Sequence, residues 1–138
     1  MPMARPTVQP LVFGLVEYDG KLLVHEERDD VSGRTVWRPP GGTIAFGERA
    51  ENALRRQVPA SLGRLAGVKA FGALENHPVV DGRPGHQIVL LYEATLADPN
   101  CYGAADLDGA RWHPVLDFVE GREMLAPEGL ADLLDWEP

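Results

Sequence analysis

At 138 residues the chain is long enough to bury the core of one domain without disulfides or a structural metal. Hydrophobic residues at 44% and charged residues at 25% are ordinary globular values, and no apolar run reaches the roughly 18 residues of a membrane span, so a soluble protein with no membrane partner is expected. Thirteen Lys and Arg against 21 Asp and Glu leave a net charge of −8, which argues against bulk nucleic-acid binding but still allows a local arginine cluster to hold a small anion.

The opening stretch MPMARPTVQP carries one arginine and several prolines but no apolar signal core or small-residue cleavage pattern, so a cytoplasmic location is expected. The run LVFGLVEYDGKLLVHEE reads as two strands around Asp19-Gly20, a strong hairpin signal. RDDVSGRT follows as a loop, and VWRPPGG as a short strand stopped by Pro39, Pro40, Gly41 and Gly42. Over residues 48–62, Ala50, Ala53, Leu54, Val58 and Leu62 recur at helical spacing, and Gly63 supplies a stop. Pro59 opposes that helix at a cost of about 3 kcal/mol, which predicts a kink or an early end near Gln57.

Two long strand-like runs come next, GVKAFGALENHPVV and HQIVLLYEATL, joined by the turn DGRPG and expected to pair antiparallel. The remainder predicts a strand at GARWHP, a helical turn at VLDFVEG, and a C-terminal helix PEGLADLLDW with Pro127 in its first turn. Cys101, the single cysteine, lies in the turn-like DPNCYGAAD with no His or Cys at metal spacing, and reads as a bystander thiol. With no internal repeat, the order of elements implies one domain over residues 1–138, a mixed sheet with helices on its faces.

If the helix ran through, side chains at 57, 60 and 61 would emerge on one face about 5 to 6 Å apart. Three carboxylates there would cage Mg²⁺, which takes oxygen ligands at about 2.0 to 2.1 Å and activates water against a phosphoryl group. The residues present are Gln57, Ala60 and Ser61: an amide, a methyl and a hydroxyl.

The stretch GGTIAFGERAENALRRQVPASLG resembles the signature box of the Nudix (MutT-like) hydrolases, about residues 42–64, with Gly42, Glu48, Arg56, Val58 and Gly63 at matching spacing. The match departs at Gln57, Ala60 and Ser61, where the family pattern has metal-holding glutamates, and at Arg64, where it has an apolar residue. WRPPGG and LENHPVVDGRPGHQIVLLYEATL resemble a Nudix subgroup in which a Glu often stands at the position of Gln87. The resemblance covers roughly residues 9–136 and implies an α/β/α Nudix sandwich with a mixed central sheet.

It also implies a hydrolase of nucleoside diphosphate derivatives using Mg²⁺ or Mn²⁺, with Glu48 and Arg56 as its candidate catalytic residues. Because the box carboxylates are replaced, the favoured reading is weak or absent metal-dependent hydrolysis with retained binding of a small nucleotide-like diphosphate, through Arg38, Gly41, Gly42, Gln87 and aromatic stacking. Arg56, which in the family ties the box glutamates in place, is expected to pair with Glu48, Glu51 or Glu75. Two alternatives stand beside that reading. One is an active hydrolase with a rebuilt metal site on Glu48 and Glu51, joined by Glu75. The other is a non-catalytic interaction module or homodimer.

Arg83 and the pair His77 and His86, which flank the DGRPG turn, are secondary candidates for ligand or acid–base roles. His25 and His113 read as strand residues, and Trp37, Trp112, Phe46 and Phe71 as core.

Overall fold

The computed structural model describes residues 6–29, 32–105 and 107–134. Its first strand, β1 (Gln9–Leu15), alternates faces: Val12 and the following Val16 join one apolar cluster, Phe13 and Leu15 the other. Both faces are therefore covered, which is why LVFGLV reads as a continuous apolar run.

The hairpin around Asp19-Gly20 forms, but only two residues long. β2 (Glu17–Tyr18) pairs with β3 (Lys21–Arg28), while β1 leaves for a different sheet. The chain crosses between sheets a second time at Pro39-Pro40, between β4 (Thr35–Arg38) and β5 (Gly41–Thr43). Pro residues have no N–H to contribute to a ladder, so the crossing falls where pairing has to stop. The backbone remains tied there, because Gly14 N–H donates to the Pro40 carbonyl at 2.9 Å.

After the helical segment come β6 (Leu65–Asn76), β7 (Val79–Val80), β8 (Arg83–Pro84) and β9 (Gln87–Leu96). One sheet has the order β5-β1-β9-β6, with β1 and β9 parallel and the other neighbours antiparallel. The second contains β10 (Ala110–Pro114), β3, β4 and β11 (Met124–Leu125), with β2 attached to β3. The expected mixed sheet is thus divided into two sheets that share the segments crossing between them. As expected, β6 and β9 pair antiparallel, and DGRPG turns at Asp81 and Gly82, both at positive φ.

Helix α1 (Ala50–Gln57) buries Ala53 and Leu54 in the cluster of Val12 and Val16. Helices α2 (Val115–Val119) and α3 (Leu130–Leu133) bury Phe118 and Leu130 in the cluster of Phe13 and Leu15. Helices therefore lie on opposite faces of β1, the expected α/β/α layering. Gly14 makes room for α1, since a Cβ there would stand 3.1 Å from a Leu54 methyl.

Two helical expectations and one core assignment are corrected. The helix predicted over 48–62 spans Ala50–Gln57, then breaks; Val58 is extended (φ −69°, ψ 127°), and a separate 3-10 turn, Ala60–Leu62, follows. Pro59 excludes the helical conformation for the residue before it, which is the early end its presence predicted. The C-terminal helix is shorter than PEGLADLLDW, with Gly129 at its N-cap, so Pro127 precedes the helix; Asp135 and Trp136 lie outside the described residues. Phe46, expected in the core, is fully exposed, whereas Trp37 is buried and Trp112 and Phe71 are half-buried.

Leu54 is the side chain on which α1 is seated, with no exposed surface. Leu54→Ala should cost about 2 to 5 kcal/mol in urea unfolding, where removal of the exposed Phe46 side chain (Phe46→Ala) should change stability by less than about 0.5 kcal/mol.

Candidate functional site

The site begins where β5 passes under the end of α1. At Gly41 a side chain would run into the β1 backbone, and at Gly42 it would displace the Gln57 amide. A Cβ on Gly41 would stand 2.0 Å from the Val12 carbonyl oxygen, and one on Gly42 2.6 Å from the Gln57 amide. Thr43, next in line, offers its carbonyl oxygen to the helix. Gln57 Nε2 donates to it at 2.9 Å and Arg56 Nη2 at 3.1 Å, so the last turn of α1 is clamped to the strand.

Arg56 also grips Glu48 with both sides of its fork, Nε to Oε2 and Nη2 to Oε1, each at 2.9 Å. Glu48 accepts a third bond from Ala45 N–H at 3.0 Å, closing the loop that enters the helix. The Arg56 hydrogen bonds, then the Ala45 bond, hold the Glu48 carboxyl down at about 2. Of the three partners considered for Arg56, the structure selects Glu48.

Beside this clamp is an open cleft of about 440 Å³ whose lining includes Arg38, Gly41, Gly42, Thr43, Gln57 and Gln87. Four residues expected to bind ligand, Arg38, Gly41, Gly42 and Gln87, thus share one cleft, with Phe13 and Glu27 also on its wall. The Arg38 guanidinium stands 5.9 Å from the Phe13 ring centroid, reaches the Gly41 carbonyl at 3.4 Å and lies 3.3 Å from a Glu27 oxygen. Gln87 Nε2 donates to Gln9 Oε1 at 3.2 Å. Glu27 and Gln9 are contacts that the spacing of motifs gave no reason to select. The pairing of β3 with β4, which sets Glu27 near Arg38, brings one of them in.

Positions 60 and 61 are elsewhere. The break at Val58 puts them on their own turn, so they do not share a helical face with Gln57. Ala60 is exposed, and Ser61 Oγ donates to the Leu107 carbonyl at 3.1 Å. The residues present do not fit the divalent ion that the box would hold: Gln57 and Gln87 bring amides, Ala60 brings no donor, and Glu48 is already committed to Arg56 and Ala45.

The structure does not bring Glu75 into a donor group with Glu48 and Glu51: Glu75 is on β6, an edge strand of the sheet whose other edge is β5. Among the described residues, no group of three His, Cys, Asp or Glu donors forms around Glu48 or Glu51.

Glu75 instead meets His77 and His86, where its oxygen lies 3.0 Å from His86 Nε2. Arg83, exposed on β8, is not among the residues lining the Arg38 cleft. His25 and His113 are in β3 and β10 as expected, and burial, followed by the nearby Arg38 charge, pulls the His25 ring down. Cys101 is buried in the 3-10 turn Pro99–Cys101, and burial first, then Asp98, pushes its thiol up, consistent with a bystander.

A mixed α/β sandwich with a glycine strand, a clamped helix and a polar cleft is the class of domain that these elements define. The family model of the NUDIX domain matches residues 8–136, and the chain belongs to that family. No curated protein matches it.

Among solved structures, the solution structure of the E. coli ORF135 protein is 23% identical, covering 98% of this chain and 91% of that one, with a TM-score of 0.59. A MutT protein from Methanosarcina mazei Go1 is 15% identical over 96% and 94% of the two chains, at a TM-score of 0.67. The NUDIX domain of Shewanella oneidensis NrtR, solved with ADP ribose, is 16% identical over 96% and 88%, at 0.60. At these identities the likeness is one of fold. Among the described residues, no helix is long and apolar enough to cross a membrane.

The low Glu48 value carries a sign. A carboxyl depressed from 4.5 to about 2 on folding adds stability that is fully present above 4.5 and lost as pH falls toward 2. In urea unfolding, Glu48→Gln should therefore be less stable than the parent by a constant margin above about pH 5, a margin that shrinks toward zero near pH 2.

Proposed function

We propose that this Nudix domain binds a nucleotide-like diphosphate in the Arg38 cleft and has weak or absent box-type metal-dependent hydrolysis. Members of the family generally use divalent metals. The observation that carries the proposal is the cleft wall itself, where Arg38 stands among Gln57, Gln87, Thr43 and the two glycines.

Carboxylates at 57 and 87 would repel a diphosphate unless a divalent ion stood between them. Amides remove that repulsion and can donate hydrogen bonds to phosphate oxygens directly. Arg38, held at the strand end by the Gly41 carbonyl, offers the planar fork that suits a phosphate. Glu27 is the competing anion, and its side chain is 55% exposed, so a ligand phosphate can displace it into water. Phe13 lines the floor of the cleft beneath the guanidinium and gives apolar area to the non-phosphate part of a ligand. The NrtR domain with ADP ribose bound makes that compound a reasonable first probe.

Two measurements on the purified chain test this. ADP ribose and nucleoside diphosphates should bind in calorimetry with affinities that differ less than about threefold between Mg²⁺ and EDTA, and Arg38→Ala should weaken binding at least about tenfold, the loss of one charge-assisted hydrogen bond. In a phosphate-release assay with Mg²⁺ or Mn²⁺, the parent should be silent. The variant Gln57→Glu, Ala60→Glu, Ser61→Glu should be silent as well while Pro59 keeps positions 60 and 61 off the helix. Turnover by the parent that Glu48→Gln abolishes would establish a working hydrolase instead, and absence of binding by every probe would remove the ligand-binding reading.

A further inference from the structure

Beyond the Arg38 cleft, one feature of the β6–β9 hairpin has no part in the reading above. The pairing that runs through β6 and β9, with Glu75 opposite Ile88 and Asn76 opposite Gln87, continues without slippage into β7 and β8, where Val79 faces Pro84 and Val80 faces Arg83. Between the two ladders, Gly85 N–H donates to the Pro78 carbonyl at 2.6 Å, in the same register. His77 is thereby set directly across from His86.

Directly opposed residues share a sheet face, and so do residues two apart on one strand. Glu75, His77 and His86 must then project to the same side, and they do. One donor atom from each lies within 4.8 Å of the others, the two imidazole centroids are 4.4 Å apart, and Glu75 already contacts His86 at 3.0 Å. The His86 main chain is fixed as well, its carbonyl accepting from Gln9 N–H at 2.8 Å.

We propose that Glu75, His77 and His86 form a binding site for a divalent transition ion of the Zn²⁺ type. Two imidazoles and one carboxylate are a borderline donor set that favours Zn²⁺, Co²⁺, Ni²⁺ or Cu²⁺; Mg²⁺ takes oxygen ligands and is selected against. Zinc–ligand bonds of about 2.0 to 2.2 Å set tetrahedral donors about 3.4 Å apart, so donors now within 4.8 Å need close in by at most about 1.4 Å. All three retain solvent exposure, which leaves their torsions free to do this. Three protein donors leave a fourth position open to water or a ligand. His86 also lines a second cleft, of about 360 Å³, with Gln9, Pro78 and Gln87, so an ion held here borders that space. The site stands independently of whether the Arg38 cleft binds a diphosphate.

The test uses the untagged full-length chain. Calorimetry with Zn²⁺ in chelator-free buffer should give one ion per chain, unaffected by millimolar Mg²⁺. Loss of an outer-shell partner typically costs about 10- to 100-fold in metal affinity, so His77→Ala, His86→Ala and Glu75→Gln, which each remove a direct ligand, should weaken binding by at least as much. Substituting Co²⁺, the ring resonances of His77 and His86 should shift strongly while those of His25 and His113 do not. Zn²⁺ affinity equal in the parent and the His77→Ala, His86→Ala double variant would overturn the proposal, as would equal Co²⁺ shifts at all four histidines. Either result would leave Glu75 and His86 as a surface ion pair only.

Discussion

The strand β1 is where the molecule's constraints converge. It pairs on one edge with β9 in parallel and on the other with β5 antiparallel, and it is covered on both faces. Parallel pairing requires a long crossover, and here everything between β1 and β9 serves as that crossover. The helix α1, the Arg38–Thr43 side of the cleft and the histidine pair are all carried on it. The close approach of β5 then demands glycine at 41, where a Cβ would run into the β1 backbone, and at 42 leaves the space to the Gln57 amide. A glycine pair that looks like a phosphate loop in sequence is first of all a packing requirement.

The structure separates two properties that the resemblance to a hydrolase joins. The scaffold of the box is intact: Glu48 and Arg56 close the entering loop, and Gln57 and Arg56 fasten the helix to Thr43. These contacts need one carboxylate, one guanidinium and one amide, and none of them requires a metal. The wall carries amides at 57 and 87, and its carboxylate, Glu27, stands against its cation, Arg38.

Much of this was legible in the residues. Helical spacing and Pro59 together located α1 and its end, and alternation with the DGRPG turn located the β6–β9 pair. Arg38, Gly41, Gly42 and Gln87, each singled out from its motif, line one cleft. What was not legible depends on contacts across the chain. Nothing in LVFGLVEYDG shows that β1 leaves its apparent hairpin partner, because a strand buried on both faces suits either sheet. Glu75 looked available to Glu48, but the register of β6 against β9 groups it with His77 and His86 instead. Phe46 was assigned to the core on residue type alone, yet its loop, tied down by Glu48, holds it in solvent. The Glu75, His77 and His86 grouping was readable in principle, from an alternate-residue spacing on one strand and the register of one turn, but the turn offers several registers and the sequence does not choose among them.

The break at Val58 also constrains how this sequence can change. Any path from it to a helical carboxylate cage has an order: Pro59 must go first, since an acidic residue at 60 or 61 placed before that step gains no helical neighbour and sets a bare charge on a separate turn. Replacing Pro59 alone, in turn, offers no charge for a metal to find. Each first step alone leaves positions 57, 60 and 61 without a shared helical face of carboxylates, so the geometry of a single peptide unit sets the order in which such a face can form.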